Sequence, residues 1–244
     1  MKAITIAGKK DGFGAQYQAC LSGLALARKL SIHYIHTPFS TIQFGLDPLY
    51  MNNFTGLISD KWWEKKQKFW QLEKKIDVKC YEYIKRIHSS KRPSMYYTAN
   101  VLDEIKLLYN STFKPIVPTY DLAIHIRRGD VHLHMKDESF RYVPNLFYVK
   151  QLDQFIKNSE SHNPSIAIIS EGTKDDFSEF DKFSNIYFHL NEDVANSFHM
   201  LVSAKVLMLS RSSFSYCAAM VSNGMILYQR FWHSKLDHWI TIGS

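Results

Sequence analysis

Asp121-Leu122-Ala123-Ile124-His125-Ile126-Arg127-Arg128-Gly129-Asp130 carries an apolar, strand-forming run straight into two arginines, a glycine and an acid. Open α/β sheets bind ligands at the carboxyl ends of their parallel strands, and this strand delivers a concentrated positive charge to that end. Arginine suits a phosphate there. Its guanidinium stays charged and offers two parallel hydrogen bonds, while Gly129 lets the backbone approach a ligand and Asp130 can hold one arginine in place. A plain ion pair between Asp130 and Arg127 or Arg128 is the competing reading, and the strand context together with His125 favours a site.

Outward from this segment, short β-branched runs alternate with longer periodic ones along the whole chain, which predicts an α/β fold with mostly parallel strands. In the first half, Ala3 to Ala7 reads as a strand, Gly8 to Gly14 as a loop, Ala15 to Leu30 as a helix and Ile32 to Ile35 as a second strand. Thr37 to Asp60, with its prolines, glycines and Asn52-Asn53, reads as irregular. Lys61 to His88 reads as helical and Met95 to Thr98 as a strand. Pro115 and Pro118 bracket a junction, because each removes a backbone donor and turns its predecessor away from helix. Two Rossmann-like lobes are expected, residues 1–117 and 118–244. In the second, strands are expected at Leu122 to Ile126, Ile166 to Ile169, Ile186 to His189, Val206 to Leu209 and Met225 to Tyr228. Helices are expected near Asn145 to Lys157, Val194 to Lys205 and Phe214 to Ser222.

With 244 residues, 45% hydrophobic and 22% charged, the chain has material for a packed core and lacks the composition of a disordered one. A net charge of +7 points to an anionic partner, whether nucleic acid, an anionic membrane surface or a phosphorylated small molecule. Much of the excess lies between Lys61 and Arg92, where lysines interleave with Trp62, Trp63, Phe69, Trp70, Tyr81 and Tyr83. An amphipathic helix with solvated lysines explains that run more simply than a nucleic-acid surface. Cys20, Cys80 and Cys217 have neither zinc-type nor disulfide-framework spacing and read as buried free thiols. The apolar start, Met1 to Ala7, is too short for a signal peptide or a membrane span, so a soluble, cytoplasmic protein without stable membrane insertion is expected.

His125-x-Arg127-Arg128-x-Asp130 resembles the His-x-Arg-Arg-x-Asp motif of the α1,2-, α1,6- and protein O-fucosyltransferases, inverting enzymes of the GT-B fold that use GDP-fucose. The resemblance gives Arg127 the contact with the donor diphosphate. Two more segments follow the family's order. Gly12-Phe13-Gly14-x-Gln16 is similar to its Gly-x-Gly-x-Gln opening, whose glycine loop faces the cleft. Ser210-Arg211-Ser212-Ser213-Phe214-Ser215 is similar to its Ser-Ser-Phe-Ser segment, where amides and hydroxyls at a helix N-terminus can cradle a diphosphate. An N-cap by Ser212 or Ser213 is compatible with that role. Glu171, after Ile168-Ile169-Ser170, is the one acid matching the family's Ser-Asp-Asp segment. The acid that reads the guanine or ribose aligns with Ser197, with Asp193 a turn earlier, so a uracil donor such as a UDP-pentose (UDP-xylose) stays open.

The resemblance implies a nucleoside-diphosphate sugar and a glycan acceptor as partners, no cofactor beyond that substrate, and a small bacterial or viral member of the superfamily. Arg127 would stabilise charge growing on the leaving diphosphate, assisted by amides at Ser212 and Ser213. No metal is expected, since the chain has no Asp-x-Asp pair of the kind that holds a divalent ion against phosphate. His125 would hydrogen-bond the nucleotide or brace the loop as a buried structural histidine. Asp137 and Glu138 are the candidate general bases, with Asp11 and His132 behind them. Two rivals remain. A dinucleotide-binding enzyme suits Gly12-x-Gly14, although Tyr17 occupies the place of the third glycine and Ile35 to Phe39 holds no acid for a ribose. A nucleic-acid-binding protein suits the basic aromatic run.

Overall fold

A computed structural model describes residues 3–60, 87, 90–132 and 139–243. It divides into two compact units, Met1–Lys114 with Trp232–Leu236, and Pro115–Phe231 with Asp237–Ser244. The expected limits differ from this at residues 115–117 and at Trp232–Leu236, a stretch close to the C-terminus that clusters with the first unit. Both units are α/β with parallel strands, the class that the alternation predicts.

In the first unit, strands β1 (Ala3–Thr5) and β2 (His33–Ile35) pair in parallel, and helix α1 (Phe13–Lys29) connects them. The expected apolar stripe understates α1. Apart from half-exposed Ala15 it is buried from Phe13 to Ala27, so its polar residues need internal partners. Ser22 finds the Gln18 carbonyl and the Tyr97 hydroxyl, both at 2.8 Å. Helix α2 (Pro48–Thr55) lies inside the stretch read as irregular, and its start and stop signals are local. Asp47 caps it by accepting from the Leu49 amide, Pro48 stands in the first turn, and Gly56 closes it at φ 68°. The strand expected at Met95 to Thr98 is instead a 3-10 turn, Pro93–Met95, leading into helix α3 (Ala99–Asn110), which buries Val101, Ile105 and Tyr109 at fourfold spacing. Arg28 of α1 binds Glu104 of α3 at 2.6 Å and Asp60 at 2.8 Å. The helix expected from Lys61 to His88, with the basic aromatic run and Cys80, lies outside the described residues except for Ile87. Cys20 and Cys217 are buried, as expected.

The second unit carries a six-stranded parallel sheet of β3 (Leu122–His125), β4 (Ile166–Ser170), β5 (Ile186–Leu190), β6 (Val206–Met208), β7 (Met225–Tyr228) and β8 (Ile240–Thr241), in the order β5-β4-β3-β6-β7-β8. The short β8 has no counterpart in the sequence reading. Strands β3 and β4 are buried on both faces, which explains their continuous apolar runs. Leu122, Ile124, Ile166, Ile168 and Met208 point to one face, under helix α4 (Asn145–Asn158) and the 3-10 segment Lys174–Phe180. Ala123 and His125 point to the other, where helices α5 (Val194–Ser203) and α6 (Ser213–Val221) pack on each other. The chain winds from β3 outward to β5, then returns to place β6 on the opposite side of β3. The switch in winding direction therefore falls between β3 and β6, the position at which open α/β sheets hold ligands. Among the described residues no helix is long and apolar enough to cross a membrane.

Candidate functional site

The loops that leave β3 and β6 flank this switch point. After His125 and Ile126 the β3 loop separates its two arginines. Arg127 meets Asp130 with both arms of its fork, Nη2 to Oδ2 at 2.6 Å and Nε to Oδ1 at 3.1 Å, and its Nη1 lies 3.5 Å from the carbonyl of Arg211 in the β6 loop. Arg128 turns inward. It donates to its neighbour's carbonyl at 2.8 Å, to Val143 O at 3.1 Å and to the Asn145 side chain, and it lies 4.4 Å from the Tyr142 ring. Burial lowers its pKa, but a guanidinium remains charged, and hydrogen bonds to carbonyls stabilise it here. Asn145 in turn donates to Asp176 O at 2.7 Å and to Glu179 at 2.9 Å. Arg128 is thus a brace for the loop, and Arg127 is the arginine presented at the carboxyl end of the sheet.

His125 is 9% exposed, with Nδ1 2.6 Å from the Ser210 hydroxyl and its ring against Phe214. Burial, followed by the charge of Arg127, pulls its pKa down to about 3, so the ring is neutral at physiological pH. Its Nδ1 contact ties β3 to the β6 loop. Ser210 also donates its amide to Ser215 Oγ at 3.3 Å. Ser212 is the N-cap of α6 and accepts from the Phe214 amide at 3.2 Å, which brings the positive end of that helix to the loop. Phe214 packs against both His125 and Phe198. His125, Arg127, Asp130, Ser212, Ser213 and Phe214 are therefore assembled on two neighbouring loops.

Glu171 belongs to the same assembly, at the end of β4 beside β3. Gly129 has φ 71°, and a Cβ built on it would sit 2.0 Å from Glu171 Oε2, so the carboxylate rests against the glycine backbone. Burial against the loop raises the Glu171 pKa, and Asp130 raises it further while Arg127 lowers it. Ser170 fixes the adjoining turn by donating to Ile126 O at 2.7 Å.

Other expected residues have different surroundings. Asp193 is the N-cap of α5, accepting from the Ala195 amide at 2.9 Å and the Asn196 amide at 3.2 Å, and Ser197 lies in the first turns of that helix. Asp137 and Glu138 lie outside the described residues. His132 is exposed two residues beyond Asp130.

In the first unit, Gly12 is the N-cap of α1, which starts at Phe13 rather than Ala15. Phe13 is a core side chain, 3% exposed, stacked on Tyr17 and edge-on to Phe39 and Phe54, so it does not line a loop surface. Gly14 is buried, and Gln16 donates to Asp11 O at 2.7 Å and Thr41 O at 2.8 Å, stapling the two loops that follow β1 and β2. Asp11 pairs with Lys9 at 3.0 Å. Beside them Ile6, Gly8, Lys9, Gln16, Thr37 and Ser40 line a recess of about 20 Å³, room for one water molecule.

Two participants, Arg211 and Asn145, have no site role in the sequence reading. Arg211 supplies the carbonyl opposite Arg127 and donates from Nη1 to Phe140 O at 2.6 Å. Its place inside the serine segment was the available signal. Asn145 holds Arg128 from 17 residues away, and nothing in local sequence marks it.

The chain matches no protein-family model and no curated protein. Among solved structures it is similar to E. coli heptosyltransferase WaaC with ADP (8% identity, 99% of this chain and 92% of that chain, TM-score 0.48). It is similar also to fucosyltransferase NodZ from Bradyrhizobium (10%, 91% and 94%, TM-score 0.46) and to the apo form of POFUT1 (13%, 90% and 94%, TM-score 0.45).

Proposed function

We propose that this chain is a glycosyltransferase that binds a nucleoside-diphosphate sugar at the β3 and β6 loops and transfers the sugar, fucose from GDP-fucose, to a glycan acceptor with inversion. The observation that carries this reading is the placement of Arg127. Its guanidinium spans from Asp130 to the start of the serine loop at the winding switch of a parallel sheet, where the N-terminus of α6 also ends. A diphosphate there would meet the positive charge of the arginine and a helix dipole at once.

In the proposed step an acceptor hydroxyl attacks the anomeric carbon, the bond from that carbon to the diphosphate oxygen breaks, and the electron pair leaves with the diphosphate. Arg127 and the amides of the Ser212-Ser213 turn stabilise the charge that grows on it. The arginine and the helix supply the positive field, in keeping with a chain that has no Asp-x-Asp pair, so we propose a reaction that runs without a metal ion. His125, neutral and tied to Ser210, positions the two loops and takes no proton. The hydroxyl proton goes to a carboxylate of the segment beyond His132, Asp137 or Glu138. A uracil donor such as UDP-xylose is the second reading, because Ser197 stands where the base-reading acid would align and the carboxylate of Asp193, a turn earlier, caps α5.

Calorimetric titration with GDP-fucose, GDP, UDP-xylose and NAD, with and without EDTA, tests the reading in wild type and Arg127→Ala. Saturable binding of one nucleotide sugar that survives EDTA and is lost in the variant is expected, together with transfer or hydrolysis of the same donor. Binding of NAD alone, or nucleotide binding indifferent to Arg127, would overturn it.

A further inference from the structure

Two carboxylates stand around the Arg127 loop. The arginine's fork is closed on Asp130, and the Glu171 carboxylate lies against Gly129 on the same loop, drawn to Arg127 and repelled by Asp130. Other cations nearby are turned elsewhere. Arg128 is bound to Val143 O and Asn145, Arg211 points Nη1 at Phe140 O, and Lys174 reaches Asp181 at 3.7 Å. On the remaining packed segments, Asp176 is held by the Thr173 amide and hydroxyl, Glu192 lies 3.4 Å from His189, and Asp193 caps α5. His132 is exposed on the β3 loop itself. The group of Arg127, Asp130 and Glu171 thus has one positive and two potential negative charges, where a diphosphate would add two more. Asp130 cannot relieve this without releasing the fork that orients Arg127. Glu171, partly covered by the loop but still reached by solvent, makes no ion pair among the described residues.

We propose that anion binding at the Arg127 loop is coupled to protonation of Glu171, which takes up one proton as the diphosphate arrives and then presents a neutral carboxyl, able to donate a hydrogen bond, beside it. The step balances as one proton from solvent onto one Glu171 oxygen, with no bond to the ligand made or broken. This rests on the reading of the loop as a diphosphate site. The physical cause is like-charge repulsion, which disfavours an ionised carboxylate with another anion within about 4–6 Å. Affinity should then rise as pH falls, by up to about tenfold per pH unit while uptake is complete.

The test is calorimetry with GDP-, UDP- and ADP-sugars at pH 5, 6, 7 and 8, in paired buffers of different ionisation enthalpy, on wild type, Glu171→Gln and Arg127→Ala. Nucleotide sugars are chosen because their diphosphate diester does not titrate in this range. Expected are proton uptake approaching one and rising affinity toward low pH in wild type, with both lost in Glu171→Gln, which binds at pH 8 at least as tightly as wild type. Binding without proton uptake in wild type overturns the coupling and leaves the site reading intact. Uptake that persists in Glu171→Gln places the proton on another group, His132 first, and also overturns it. Weaker binding in Glu171→Gln with no uptake in wild type makes Glu171 an anionic acceptor for ligand hydroxyls instead. Absence of binding by any sugar nucleotide to wild type sinks the site reading, and the coupling with it.

Discussion

Arg127 and Asp130 meet fork to fork, at 2.6 Å and 3.1 Å, with only two residues between them. The pair aims a guanidinium at the carboxyl end of the sheet, and its own contribution to folding is small because both groups reach solvent, an arrangement worth about 0–1 kcal/mol.

Replacing Arg127 with Ala is therefore expected to leave stability within about 1 kcal/mol of wild type. Sugar transfer should fall on the order of 10²–10³-fold if the guanidinium carries the leaving-group charge. Denaturant midpoints and initial rates on the same preparations check both numbers. Arg127→Lys, which keeps charge and loses the fork, should recover only part of the activity.

Arg128 should behave in the opposite way. Arg128→Ala strips buried acceptors at Val143 and Asn145 of their donor, at about 2–3 kcal/mol. The expected result is a clear drop in the urea midpoint, and a midpoint unchanged from wild type would show that the neighbouring carbonyls find other partners.

Gly129 stands at φ 71° with Glu171 against its α-carbon. Gly129→Ala should cost on the order of 1–2 kcal/mol for the left-handed backbone alone, plus the displacement of Glu171. Combining it with Glu171→Ala removes the collision and not the backbone strain, so the double variant should be more stable than Gly129→Ala and less stable than Glu171→Ala. Equilibrium denaturation of the three proteins measures the difference.

His125 gives a pH signature. Its folded pKa, pulled down to about 3 by burial, lies below the value of 6.5 expected in an unfolded chain. The unfolded state therefore takes up a proton first as pH falls, and stability is lost progressively from about pH 6.5 toward pH 3. His125→Asn, which cannot titrate, should show a shallower loss across that window, read from urea midpoints at each pH.

Fold class, the order of strands and helices in the second unit, and the separation of an arginine loop from a serine loop were legible in the chain. The information is local. Continuous apolar runs such as Leu122 to Ile126 mark doubly covered strands, and glycines, prolines and serines mark where they end. The same local signals at Asp47-Pro48 and Gly56 announced α2, and the spacing of Val101, Ile105 and Tyr109 announced α3. The prolines and glycines of Thr37 to Asp60 make α2 look irregular, and Ala99–Asn110, for which no element was expected, is a helix that follows the short β-prone run Met95 to Thr98. What the sequence could not determine is which of two adjacent arginines faces outward. Only packing decided that, because Val143, Asn145 and Tyr142 surround Arg128 from positions distant enough that no local pattern links them. Phe13 went the same way, a residue between two loop-like glycines that the tertiary core of α1, Phe39 and Phe54 claims as its own. The meeting of Glu171 with Gly129 likewise depends on strand order, since β4 lies beside β3 only once the sheet has formed.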